Sequence, residues 1–230
     1  MSDEAQSRAR AAAAAAAAER LPSDGTIGLG SGRAVWAVIE ALGSRFSDGI
    51  PLKAAVASSR TEEVAREAGI ELVELDGSLR LSIAVDGADE VDPSLGLLKG
   101  GGGAMLREKL VVAAAERFLV VAETPKRVER LGSTHPLPVE VVRFAWRDTR
   151  ARLLELVPGA ELRAGDDGEP YLTDEGNHIL DCDLPPEGDL GDLAAAIKAE
   201  VGVVEHGLFL DAADVVLLGT PDGGVETLER

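Results

Sequence analysis

Three stretches place chemically capable residues just past runs that read as strands. Asp86-Gly87-Ala88-Asp89-Glu90 follows the apolar run LSIAV. Three carboxylates in five residues repel one another unless something binds there. Such groups hydrogen-bond sugar hydroxyls, shuttle protons between oxygens, or hold Mg²⁺. The plain alternative is an acidic loop, since the chain has 41 carboxylates. Lys99 opens a second stretch, Gly100-Gly101-Gly102-Gly103, before a helical pattern that carries Glu108 and Lys109 about one turn in. Glycine costs about 1 kcal/mol relative to alanine in regular structure, so four in a row between apolar flanks read as a rigid loop that something touches. Its N–H groups suit a developing oxyanion, and Lys99 adds positive charge. The plain alternatives are a flexible loop and an exposed helix glutamate. The third stretch, Gly28-Leu29-Gly30-Ser31-Gly32-Arg33-Ala34, joins a strand to a helix. A helix start presents N–H groups and partial positive charge to an anion. The alternative is a tight structural turn. A dinucleotide fingerprint fails here, because Arg33 replaces its third glycine and Ser58-Ser59 stand where its acidic residue belongs.

These segments need a scaffold, and the pattern supplies one. Strands are expected at 26–30, 52–58, 71–75, 81–85 and 118–122, with helices at 3–20, 33–43, 59–69 and 104–116 between and before them. Ser59-Arg60-Thr61-Glu62 reads as a capping box and Gly69 as the end of its helix. Alternating strands and helices imply a mostly parallel sheet covered on both faces, with ligands bound beyond the carboxyl ends of its strands. After Gly132 the character changes. A proline-punctuated segment at 134–142 that leads into a strand, a helix at 148–157 capped by Asp148, short strands at 160–163, 170–173 and 178–182, a helix at 190–200 and a strand at 203–209 approximate β-α-β-β-α-β. A last apolar strand, 214–218, rejoins the first sheet. The expected domains are 1–131 plus 208–230, and an inserted unit at 132–207.

Composition narrows the function. The 230 residues carry 23 Lys+Arg against 41 Asp+Glu, a net charge of -18, which argues against a nucleic-acid binder. A small phosphorylated ligand remains compatible, because fields are screened beyond about 8 Å at physiological salt. Cys182 is the single cysteine, and His135, His178 and His206 show no ligand spacing, so neither a disulfide nor a cysteine- or histidine-based metal site is expected. A reducing, cytoplasmic setting is the default. Arg8 and Arg10 before Ala11 to Ala18 mimic a signal peptide, but Asp3, Glu4 and Glu19-Arg20 do not fit one. No run of about 18 apolar residues suggests a membrane span.

In combination the blocks become specific. DGADEVD, LLKGGGGAMLREKLV and LGSTHPLPVEV resemble, in order and spacing, the ribose-5-phosphate isomerase family, type A, and the resemblance runs from Gly25 to Thr220 through GLFLDAADVVLLGTPDG. It implies a Rossmann-like domain with an inserted ferredoxin-like domain. It further implies interconversion of D-ribose 5-phosphate and D-ribulose 5-phosphate, without cofactor or metal, in the non-oxidative pentose phosphate branch. By the same resemblance Glu108 is the proton acceptor, Asp86, Asp89 and Lys99 share the chemistry, and Gly87, Ala88, Gly100, Gly101, Gly102 and Lys126 bind substrate. Ser31, Gly32, Arg33 and Ala34 fill the first loop. The family's usual GTGST differs there: Ser31 keeps a hydroxyl, while Arg33 and Ala34 replace a serine and a threonine. Arg33 offers a bidentate phosphate contact instead. The resemblance also suggests a homodimer or homotetramer. The other function classes weighed are a non-catalytic sugar-phosphate sensor, for which no DNA-binding extension is seen, and a metal-dependent sugar isomerase.

Overall fold

The computed structural model describes residues 2–230. In chain order the elements are α1 (Asp3–Arg20), β1 (Gly25–Leu29), α2 (Arg33–Arg45), β2 (Leu52–Val56), α3 (Ser59–Glu67), β3 (Glu71–Leu72), β4 (Ala84–Gly87), β5 (Glu90–Val91), β6 (Leu97–Leu98), α4 (Met105–Ala113), β7 (Phe118–Glu123), β8 (Leu137–Val141), α5 (Trp146–Leu153), β9 (Glu161–Leu162), β10 (His178–Cys182), α6 (Leu190–Ala199), β11 (Val203–His206), β12 (Leu208–Phe209), β13 (Val215–Gly219) and β14 (Val225–Glu229). A 3₁₀ turn, Thr124–Lys126, follows β7. The chain divides into two compact units, one of residues 1–88, 107–127 and 211–230, the other of 89–106 and 128–210.

The first unit is built on a seven-stranded sheet ordered β14-β13-β7-β4-β1-β2-β3. Neighbours are parallel except β13 and β14. β7 is buried along its whole length, as its continuous apolar run requires between two helical layers. The alanine helix α1 has a positional reason: Ala9, Ala13, Ala14, Ala17 and Ala18 are buried, and a Cβ on Gly219 would overlap the Ala9 carbonyl. Larger side chains would hold that helix off β13. α2 buries Val35, Val38, Ile39 and Leu42 in the same core, matching its helical period.

The second unit carries an antiparallel sheet ordered β11-β8-β10-β9, with α5 and α6 in the connections. Numbered within the unit, that is 4-1-3-2, the ferredoxin-like arrangement. Its core gathers Leu137, Val139, Val141, Leu153, Leu180 and Ile197. Residues 89–106, expected in the first domain, cluster with this unit instead. β5 and β6 pair with each other and β6 pairs with β12, forming a separate three-stranded sheet. Two-residue strands leave no periodicity to read.

Local departures have local causes. Ser58, not Ser59, caps α3, its hydroxyl accepting from Thr61 N at 3.1 Å. α5 begins two residues before Asp148, behind Ala145 in the left-handed region at φ 53°. Residues 170–173 form only a single bridge, Ala164 to Pro170. The run 203–209 breaks at Gly207, where a Cβ would overlap the Lys99 carbonyl, so its two halves join different sheets.

Candidate active site

In the first unit the candidate residues Ser31 to Ala34 and Asp86 to Ala88 lie at the carboxyl ends of β1 and β4. Asp86 lies near the end of β4 and is 1% exposed. Its Oδ1 accepts from Ser31 N at 3.1 Å and from Gly87 N at 2.7 Å. Gly30 has to be glycine, because a Cβ there would overlap the Asp86 carboxylate. The turn then reaches Gly32, which caps α2 at φ 89° with no side-chain hydrogen bond. Arg33 is exposed and Ala34 buried. The Ser31 hydroxyl donates to Ser58 Oγ at 2.9 Å, Ser58 Oγ donates to Thr61 Oγ1 at 3.0 Å, and Trp36 Nε1 donates to the same Thr61 Oγ1 at 3.2 Å. The first turn is thus tied to the start of α3 and fixed from two sides.

Glu108 stands in the first turn of α4 and is 5% exposed. Val111, three residues on, is on the same helix face and would crowd a Cβ on Gly28 at 2.5 Å. Ala114, just past the end of α4, accepts from Leu81 N at 3.0 Å ahead of β4, so from Ala114 through Val111 back to Glu108 the helix runs in the direction that β1 and β4 take. Glu108 and Asp86 share one end of this sheet. A carboxylate in the first turn also sits at the positive end of the helix dipole. Lys126, on the turn after β7, donates to the Ala88 carbonyl at 2.6 Å and lies 3.5 Å from Glu123 Oε2. Glu123 is held in turn by Arg10 of α1, with Nε to Oε1 at 2.8 Å. Nothing in the spacing of the alanine helix pointed to Arg10.

The second unit holds the other segment. Asp89 Oδ2 accepts from Gly101 N at 2.8 Å. Lys99 is buried, its N–H donating to Gly207 O at 2.9 Å and its Nζ 5.4 Å from the centre of the Phe209 ring. Gly100 and Gly103 adopt φ values of 97° and 81°, and Gly103 N donates to Gly100 O at 2.9 Å, closing a tight turn. Gly101 and Gly102 are exposed, and a Cβ on Gly102 would meet nothing within 4 Å. The four glycines are a shaped turn. Three further residues of this unit bear on it and were not anticipated. Arg163 and Tyr171 donate to its carbonyls, and Asp181 holds Arg163. They follow the turn by more than 60 residues, so no local motif connects them to it.

Neighbouring carboxylates have other duties. Glu90 is fully buried and accepts from Gly132 N, Thr134 N, Thr134 Oγ1 and His135 N, which makes it a loop anchor. Glu140 accepts from Thr173 Oγ1 and Asn177 Nδ2, both at 2.9 Å, and burial raises its carboxyl above the usual range. Burial, then Asp181 and Asp183, push the Cys182 thiol up to about 12, which removes it as a nucleophile at neutral pH. Among the described residues no group of three or more His, Cys, Asp or Glu is gathered to hold a metal ion. No helix among them is long and apolar enough to cross a membrane.

Comparison with known proteins shows the family to which the chain belongs. The family described as Ribose 5-phosphate isomerase A (phosphoriboisomerase A) matches residues 53–223. Ribose-5-phosphate isomerase A of Synechococcus sp. (strain JA-3-3Ab) is 45% identical over 215 residues, covering 93% of each chain. The solved structure of ribose 5-phosphate isomerase A from Methanocaldococcus jannaschii superposes with a TM-score of 0.91 at 35% identity, covering 98% of this chain and all of that one. A D-ribose-5-phosphate isomerase solved in complex with phospho-erythronic acid superposes with a TM-score of 0.92 at 35% identity, covering 97% of this chain and 99% of the other. With more than half its length matched by the family and the same fold along nearly all of it, the chain belongs to the ribose-5-phosphate isomerase A family.

Proposed function

We propose that the chain interconverts D-ribose 5-phosphate and D-ribulose 5-phosphate through an enediolate, with Glu108 as the base. In the open-chain aldose Glu108 takes the proton from C2. The electron pair forms the C1–C2 double bond and charge moves onto O1. The carboxyl group then returns a proton to C1, while a proton leaves O2 for O1, so no atom or electron is gained or lost. A positioned carboxylate contributes typically about 10²–10⁴-fold to such a transfer. Lys99 and the N–H groups of Gly100, Gly101 and Gly102 stabilise the enediolate oxygens. Asp86 and Asp89 handle ring opening and the hydroxyl protons. Ser31, Gly32, Arg33, Ala34, Gly87, Ala88 and Lys126 bind the rest of the substrate, and the uncapped start of α2 suits its phosphate.

The observation that carries this reading is a pair of buried carboxylates, Asp86 near the end of β4 and Glu108 in the first turn of α4, in a chain of this family. Burying charge is costly, and a fold keeps it where the charge is used or fully paired. The sensor reading is not favoured, because the curated relatives carry the name of the enzyme. We further propose a cytoplasmic homodimer or homotetramer acting in the non-oxidative pentose phosphate branch without a cofactor. Light scattering on the purified chain tests the assembly. A coupled assay for ribulose 5-phosphate, run with and without chelator, tests the reaction and its independence of metal. Glu108→Gln is expected to lower kcat at least about 10²-fold while phospho-erythronic acid still binds. Near-wild-type turnover in that variant would remove Glu108 from its role.

A further inference from the structure

We propose that Arg163, pinned by Asp181, and Tyr171 are positioning residues that aim the glycine turn 100–103 at the substrate. This rests on the isomerase reading above and adds residues that no spacing in the sequence marks. Arg163 donates through one guanidinium nitrogen to the carbonyls of Gly100 at 2.9 Å and Gly101 at 3.0 Å. Its other face is engaged by Asp181, with Nε to Oδ2 at 2.9 Å and the second terminal nitrogen to Oδ1 at 2.5 Å. That fork is the bidentate geometry in which a guanidinium is held most firmly. Tyr171 donates its hydroxyl to Gly102 O at 3.1 Å. Its ring lies so close to Gly103 that a Cβ there would come within 2.5 Å of the hydroxyl oxygen. The two clamp residues are themselves joined, since Tyr171 N donates to Arg163 O at 2.9 Å.

Three successive carbonyls of the turn are therefore held from one side. A peptide unit is planar and trans, so holding a carbonyl fixes the direction of the next N–H, which points the opposite way. Holding Gly100 O sets Gly101 N–H, and that group bonds the carboxylate of Asp89 at 2.8 Å. Holding Gly101 O sets Gly102 N–H, on an exposed residue with open space at its Cα. Holding Gly102 O sets Gly103 N–H, which closes the turn onto Gly100 O at 2.9 Å. The clamp thus orients one acidic side chain and one backbone donor without itself being a reacting group. Glycine is the residue most in need of such support, because it has the most conformational freedom to lose. Burial raises the Tyr171 phenol above its ordinary value, more strongly than Arg163 lowers it.

The test uses the intact chain in the ribulose 5-phosphate assay, with Tyr171→Phe, Arg163→Lys and the double variant Arg163→Ala/Asp181→Ala, which leaves no charge stranded. An oriented donor is worth about 10²–10³-fold when removed outright, and misaiming it costs less. We expect kcat to fall about 10-fold in the double variant and about 3-fold in Tyr171→Phe, with Arg163→Lys between wild type and the double variant. The KM and the melting temperature are expected to stay near those of wild type. Unchanged kcat in Tyr171→Phe and the double variant, alongside a Glu108→Gln chain that has lost turnover, would overturn the clamp and leave the isomerase reading intact. A fall in kcat that only tracks loss of folded protein would also overturn it, and Tyr171→Phe, which keeps the ring, decides that case. A wild-type chain that forms no ribulose 5-phosphate would overturn the isomerase reading itself.

Discussion

Two glycine-rich turns lie at the ends of strands in this protein, one in each unit, and they use glycine for different reasons. The turn at 28–34 is shaped by what packs onto it. Gly28 admits Val111 of α4, Gly30 admits the Asp86 carboxylate, and only Gly32 needs a positive φ. The turn at 100–103 is shaped by its own backbone, with Gly100 and Gly103 at positive φ and three carbonyls held by side chains from elsewhere in its unit. The first turn is rigid because it is crowded. The second is rigid because it is tethered, and that leaves Gly101 and Gly102 exposed. Glycine runs therefore do not signal flexibility by themselves; the neighbouring atoms decide.

The largest expected effect follows from the crowded turn. Gly30→Ala places a methyl group into the Asp86 carboxylate and must break its bonds from Ser31 N and Gly87 N. Overpacking of this kind costs about 1–3 kcal/mol. Both a lower melting temperature and a loss of at least about 10²-fold in kcat/KM are expected, because a misplaced acid costs that much. A variant with wild-type stability would show that the contact is not tight.

Gly102→Ala gives the opposite pattern and sharpens the contrast. Its Cβ meets no atom within 4 Å, and its φ is not in the positive region. Thermal melting is expected to match wild type. If substrate occupies that open space, KM rises, by roughly 10-fold for a methyl group placed against a bound sugar. Unchanged KM would move the substrate away from this turn.

How much of this was legible depended on the range of each cause. The parallel sheet, the helix over 33–43 and the β-α-β-β-α-β segment follow from apolar periodicity, and the helix over 3–20 from alanine's helix propensity, both of which are local. Asp86, Asp89, Lys99 and Glu108 stand out as candidates in the sequence because each follows a strand or glycine run within a few residues. Arg10, Arg163, Tyr171 and Asp181 were not, because their partners lie 18 to over 100 residues away and their types are ordinary. β14 was missed because it is an edge strand with only Leu228 partly buried, so it carries no apolar run. The membership of 89–106 was missed because two-residue strands have no period.

The smallest effect concerns what steadies the tethered turn. Thr173 and Asn177 are held on Glu140, and Tyr171 lies two residues before Thr173. Burial raises the Glu140 carboxyl above its ordinary 4.5, so the folded state favours its protonated form. Its contribution to stability is therefore fully present below the unfolded value and falls as pH rises through the folded one. Glu140→Gln stays neutral, so its stability relative to wild type is expected to improve from pH 4 to pH 7 in denaturant unfolding. A difference independent of pH would mean that Glu140 is not the group being titrated.

The central claim is that a protein carboxylate, that of Glu108, carries the proton between C2 and C1. Isomerisation of D-ribose 5-phosphate in D₂O, followed by proton NMR over many reversible turnovers, tests it directly. The account predicts deuterium at C2 of ribose 5-phosphate and at C1 of ribulose 5-phosphate with the wild-type chain, and loss of both in Glu108→Gln. Product that retains all its carbon-bound hydrogen, or a Glu108→Gln chain that washes in deuterium at the wild-type rate, would contradict it.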